Sequence, residues 1–203
     1  ASQEGLRRIL LQYVHLTPLD LSVYVCCSRI TSGASDYINF LGVDLAERYQ
    51  PEYFRLNTLS RWKQIQCLLA SAAMPFAFDK VEIDGAWYRD GGISPKDNLP
   101  YEKAAALGFS KILSVSLEVG VTREISCGKA NVMIICPSAS LGNTLDGILD
   151  FEAENAGWRS RLGYMDTISR KNQIRSFFDT AGYENISILT ESQKERLNRI
   201  FKP

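Results

Sequence analysis

Asp90 closes the short run Trp87-Tyr88-Arg89-Asp90 and is followed at once by Gly91-Gly92. An aspartate can serve as a proton acceptor when it is desolvated, because burial raises its pKa toward that of a useful base. The two glycines let the chain bend and let another group approach the backbone closely. An acid at a strand end suits catalysis, since open α/β sheets gather their sites there. A turn aspartate that caps the following loop fits the same spacing, so spacing alone leaves both readings open. Asp84 is the rival acid, but it stands in Asp84-Gly85, where a turn accounts for it. The single histidine, His15, lies near a helix end just before Thr17-Pro18. A lone histidine there reads as a surface or capping group rather than as a base.

The elements that must position Asp90 follow from the pattern around it. Val81-Glu82-Ile83 and Trp87-Tyr88-Arg89 read as two short strands joined by a tight Asp-Gly turn. Ser94 to Pro100 is a loop, in which Asp97 or Asn98 can cap a helix with Pro100 in its first turn. That helix runs from Tyr101 to Leu107 and stops at Gly108, and Lys111 to Leu117 is a largely apolar strand. Strand, Gly-Gly turn, helix and strand in this order predict a crossover unit beside a sheet. Asn98 is placed either to hydrogen-bond the loop that holds Asp90 or simply to cap the helix.

Four blocks now stand in order: Leu68-Leu69-Ala70-Ser71-Ala72-Ala73-Met74-Pro75, Val81-Glu82-Ile83-Asp84-Gly85, Tyr88-Arg89-Asp90-Gly91-Gly92 and Asn98-Leu99-Pro100. Together they resemble the patatin-like phospholipase family, from about Leu19 to Met165. The resemblance implies an α/β fold, a three-layer patatin-like sheet flanked by helices. It also implies a Ser–Asp dyad that hydrolyses carboxylic esters of lipids, with Asp90 as the dyad's aspartate. Gly91 and Gly92 then shape its turn rather than react. The partner implied is a lipid or acyl-ester substrate, with transient membrane contact in reach. No cofactor and no metal are implied.

The family's nucleophile sits in a G-x-S-x-G elbow behind a glycine-rich oxyanion loop, and neither occurs in this sequence. Gly108-Phe109-Ser110 lacks the following glycine, and Gly33-Ala34-Ser35 has the wrong neighbours. The chain, 1–203, therefore reads as a single partial domain lacking its N-terminal part, holding the base without the nucleophile, and inactive by itself. Two functions compete: part of a lipid acyl hydrolase completed by the nucleophile segment, or a non-catalytic binding or regulatory remnant. A domain stripped of central strands exposes apolar sheet edges, so the chain alone is expected either to be poorly soluble or to pair with a partner, the missing segment or a second copy.

Composition narrows the classes. With 203 residues, 45% of them hydrophobic, the chain can bury a sizeable core. Lys+Arg and Asp+Glu are both 23, so bulk charge favours neither nucleic acid nor an anionic surface. No apolar run is long enough to span a bilayer, and no signal-peptide pattern is present. The cysteines, Cys26, Cys27, Cys67, Cys127 and Cys136, form no C-x-x-C pair. They read as reduced core thiols, which points to a cytoplasmic setting.

Elsewhere, Leu6, Ile9, Leu10 and Tyr13 give a helix from Glu4 to Val14 one apolar face. Leu21 to Cys27 is a predicted strand, Tyr37 to Phe40 a second, and Tyr53 to Leu56 a brief third. A helix from Asn57 or Thr58 to Ala73 is expected to bury Leu59, Trp62, Ile65, Leu69 and Ala72, with Ser71 a packing residue. After a polar loop, Glu118 to Lys129, Asn131 to Pro137 is a buried strand. Thr144 to Phe178 is helical with interruptions, and Trp158, Leu162, Met165 and Ile168 are expected to face the core. A last helix is capped by Thr190 with Gln193.

Overall fold

The computed structural model describes residues 3–14, 16, 21–31, 49–75, 77–93, 98–142, 147 and 152–179. The chain divides into two compact units, Ala1–Pro100 and Tyr101–Pro203. Helices and strands are mixed in both, so the α/β class is as expected. The predictions for Tyr37–Phe40, His15, Gly33–Ser35 and the Thr190 helix fall outside the described residues.

In the first unit the elements are α1 (Glu4–Tyr13), β1 (Tyr24–Ile30), β2 (Tyr49–Arg55), α2 (Arg61–Ser71), β3 (Val81–Ile83) and β4 (Ala86–Asp90). The strands form one antiparallel sheet in the order β2-β1-β4-β3. The Asp84-Gly85 turn is as predicted. Both residues have positive φ, 50° and 78°, and Ile83 pairs with Ala86 across them. That backbone twist matches the twist of the flanking strands.

Beneath the sheet, Cys27, Leu56, Ile83 and Tyr88 pack with Cys67 and Ala70 of α2. The helix starts later than expected. Leu56–Thr58 is a single 3-10 turn, and Ser60 caps α2 by accepting from the Lys63 amide. Asn57 instead ties down the entry to β1. It accepts from the Val23 amide at 2.6 Å and donates to the carbonyls of Leu16 and Leu21. Gln64, buried, donates to the carbonyls of Leu56 and Leu59, both at 3.0 Å, so its polar group is satisfied inside the core. Ile65 and Leu69 are buried as expected, but Trp62 is 52% exposed. It sits on the first turn of α2, beneath the guanidinium of Arg7.

In the second unit the elements are α3 (Tyr101–Ala106), β5 (Lys111–Val115), β6 (Arg123–Cys127), β7 (Ala130–Ile135), α4 (Ala153–Ser169) and α5 (Lys171–Phe178). Gly108 takes φ 93° just past α3 and ends it, as the sequence suggests. Here β5 runs parallel to β7, and β6 pairs antiparallel with β7 on the other side. The stretch expected as a polar loop thus holds a strand, turned by Gly128 at φ 59°. The predicted crossover is also corrected: among the described residues β4 and β5 lie in different sheets.

The stripe on α4 is corrected as well. Trp158, Met165 and Ile168 are 47%, 58% and 44% exposed, while Leu162 and the charged Asp166 face inward. Asp166 explains this orientation. Its carboxylate accepts from the Ser138 amide at 2.9 Å and from Arg170, pinning the helix to the loop after β7. A buried carboxylate with such donors outweighs apolar periodicity in choosing the inward face.

Candidate active site

Asp90 is the last residue of β4. Its amide donates to the Ala73 carbonyl at 3.1 Å, and it pairs with Cys27 of the neighbouring strand. The chain then tightens into a 3-10 turn, Gly91–Ile93. Within it the Gly92 amide donates to Asp90 Oδ1 at 2.7 Å. Burial pushes the Asp90 carboxyl above its usual pKa, and the Gly92 amide holds part of that rise back. A half-buried carboxylate with one oxygen fixed is a positioned proton acceptor.

Space demands a glycine at 91 and is tight at 92. A Cβ at Gly91 would lie 2.4 Å from the Cys26 carbonyl oxygen. A Cβ at Gly92 would lie 3.0 Å from Asp90 Oδ1 and 3.2 Å from Asn98 Oδ1. Asn98 is thereby brought beside the Asp90 turn. Asp97 falls outside the described residues, and α3 begins at Tyr101, directly after Pro100.

The neighbours of Asp90 on β4 hold the hairpin in place. Arg89, buried, donates from Nη1 to the Phe78 carbonyl at 2.6 Å and so anchors the chain leading into β3. Tyr88 donates to Glu52 Oε2 at 2.8 Å and packs edge-on against Phe54. Burial and the Glu52 carboxylate both push the Tyr88 hydroxyl up. Opposite Arg89, Ser28 is fully buried and its hydroxyl has no hydrogen-bond partner among the described residues. Neither Arg89 nor Ser28 stood out in the sequence, because their partners come from distant segments.

The rival acid behaves as a turn residue: Asp84 is largely exposed and ion-paired with Lys63. Ser71 ends α2, and Ser110 is exposed at the entry to β5, where its carbonyl accepts from the Asn131 amide. Among the described residues no group of three or more His, Cys, Asp or Glu could hold a metal ion. All five cysteines are free. The second unit has a cavity of about 270 Å³ at the C-terminal ends of β5 and β7, lined by Val115, Leu117, Ile135, Pro137 and Leu162 among others. None of its lining residues belongs to the Asp90 motif.

Residues 34–105 match the profile of the family described as patatin-like phospholipase. This segment is similar to patatin-like phospholipases. The match is narrower than the span from Leu19 to Met165, yet it contains all four blocks from Leu68 to Pro100 on which the resemblance rests. The matched segment includes the whole Asp90 hairpin, both glycines and Asn98. No curated protein and no solved structure matches the chain.

Proposed function

We propose that this chain carries the base of a lipid acyl hydrolase of the patatin-like type, acting on carboxylic esters of lipids. The observation that supports it best is the Asp90 carboxylate: desolvated, fixed by the Gly92 amide at the end of β4, and inside the family match. In this reading Asp90 accepts the proton of a serine hydroxyl as that oxygen attacks the ester carbonyl carbon. The leaving alcohol takes the proton back as the acyl–oxygen bond breaks. Water then attacks the acyl-serine, Asp90 again takes the proton, and the acid departs as the serine hydroxyl is restored. Gly91 and Gly92 hold the turn and Asn98 supports it.

The serine belongs to a G-x-S-x-G segment that this sequence does not contain, so the complete site needs that segment as a partner. A cytoplasmic setting agrees with the free thiols. Among the described residues no helix is long and apolar enough to cross a membrane.

The test is intact mass after exposure to a fluorophosphonate serine probe, with the chain alone and with the nucleophile segment supplied. An adduct only in the completed form, abolished by Asp90→Asn, is the expected result. An adduct on this chain alone would locate the nucleophile within it. No adduct in either form would replace the hydrolase with the non-catalytic remnant.

A further inference from the structure

In the second unit the strand order β5-β7-β6 leaves β5 at an edge of its sheet. The ladder to β7 fixes which way its backbone points. The Asn131 amide donates to the Ser110 carbonyl at 2.9 Å, and the Ser116 amide donates to the Ile135 carbonyl at 2.8 Å. Successive residues of a strand turn their backbone groups to opposite sides, so Ser110, Ile112, Ser114 and Ser116 face β7. Lys111, Leu113 and Val115 therefore turn their N–H and C=O groups to the open edge. Leu113 and Val115 are also 38% and 64% exposed, and the apolar run continues through the exposed Leu117, Val119 and Val121.

Sheet edges are normally guarded by charge, proline or brevity. Here β2 carries Pro51, Glu52 and Arg55, β3 is three residues long, and β6 carries Arg123 and Glu124. The β5 edge has one charge, and it is turned aside. Lys111 Nζ donates to the Phe177 carbonyl at 2.8 Å and lies over the Phe177 ring. An apolar edge without a guard is a template for another strand.

A second β5 fits that template. Antiparallel pairing of two copies about Leu113 sets Leu113 opposite its own counterpart and Lys111 opposite Val115. These are the three residues whose backbone faces out. Each pair is then of the hydrogen-bonded kind, and every outward N–H and C=O of β5 is matched. The contact is isologous, and it brings no like charges opposite one another. We propose that two copies of this chain associate edge to edge through β5, joining two three-stranded sheets into one. The proposal concerns the second unit and does not rest on acyl hydrolysis.

Sedimentation velocity of the full chain over a range of concentrations tests it, and a reversible dimer is expected. Val115→Lys sets lysine opposite Lys111 twice in the dimer and should weaken it by about tenfold. Val115→Glu sets a carboxylate there instead and should hold or tighten it. Circular dichroism checks the fold of each variant. In the parent, which needs no substitution, hydrogen exchange should show the Leu113 and Val115 amides protected in the dimer and released on dilution. A monomer at every concentration overturns the proposal. So does equal dimerisation of the two Val115 variants, whether both keep the dimer or both lose it, and so do unprotected amides in the dimer. A dimer that dissociates when a G-x-S-x-G segment is added gives the edge to that segment and overturns it as well.

Discussion

The carbonyl of Cys26 on β1 lies directly against the Cα of Gly91, so close that an added methyl group would sit 2.4 Å from its oxygen. Backbone on both sides leaves neither partner a flexible end to move. Gly91→Ala should therefore push β1 from β4 and cost about 3 kcal/mol or more, the upper end for an added methyl in a packed interior. Gly92→Ala meets side-chain oxygens at 3.0 and 3.2 Å, which can shift. Its stability cost should be near 1 kcal/mol. Its effect on acyl hydrolysis should be the larger one, because the displaced atom is Asp90 Oδ1. Urea midpoints beside the rate of the completed enzyme check the contrast; equal stability losses would refute it.

Asp90→Asn should separate stability from activity. The asparagine oxygen can still accept from the Gly92 amide, while the desolvated charge is gone. The variant is expected to be as stable as the parent or more so at neutral pH, with hydrolysis reduced by roughly a hundred- to ten-thousandfold. In the parent, the acid limb of kcat/KM is expected above the ordinary aspartate value, because burial raises the Asp90 carboxyl. A limb at the ordinary value, or a clear loss of stability in the variant, would count against a desolvated base.

Asp166 and Asp90 should give opposite pH dependences. For Asp166, burial acts to raise the pKa, but the Ser138 donors and Arg170 more than offset it, so the folded value lies below the usual one. Its contribution is present above the unfolded pKa and is lost as pH falls through the lowered folded value. Asp90, raised, favours the fold when protonated, so its contribution grows as pH falls through its own folded value. Asp166→Asn should lower stability by about 1.5–3 kcal/mol at neutral pH, the range for hydrogen bonds to a charged group. The deficit should shrink toward pH of about 3, where the parent carboxylate is itself protonated in the unfolded chain. Denaturant titrations at both pH values read this directly, and a constant deficit would exclude the charge as its cause.

The thiols should divide by burial. Burial, with Cys67, Cys26 and Asp90 nearby, pushes the Cys27 thiol far up, and burial takes Cys67 to about 11 despite Lys63. At pH of about 8 only about one Cys67 in a thousand is then a thiolate. Iodoacetamide should modify the half-buried Cys26 and Cys127 in the native chain while sparing Cys27, Cys67 and Cys136. All five should react in denaturant. Peptide mass mapping gives the order, and rapid native labelling of Cys27 would contradict its placement.

The Asp90 hairpin was legible because its determinants are local: a two-residue Asp-Gly turn fixes β3 against β4, and the carboxylate and glycines follow in sequence. The reason for Gly91 was not legible, since the Cys26 carbonyl that demands it arrives from another strand. Trp62 and the Trp158, Met165, Ile168 stripe show a second limit. Periodicity shows which residues share a face but not which way the face turns. A cation above Trp62 and a buried Asp166 made that choice. Strand β6 was missed because Arg123-Glu124-Ile125-Ser126-Cys127 has too few apolar residues to read as a strand before its pairing with β7 is known.

The two pairings of β4 also differ in how soon the chain can make them. Ile83 meets Ala86 across a two-residue turn, a closure of the kind hairpins complete in about 1–10 μs. Asp90 meets Cys27 only after a loop of some sixty residues has been drawn shut, an entropic cost that must be met before the contact can repay it. The carboxylate thus rides on an early-forming arm, but its desolvation awaits the late arrival of β1. The raised carboxyl is therefore a property of the assembled sheet, not of the hairpin alone.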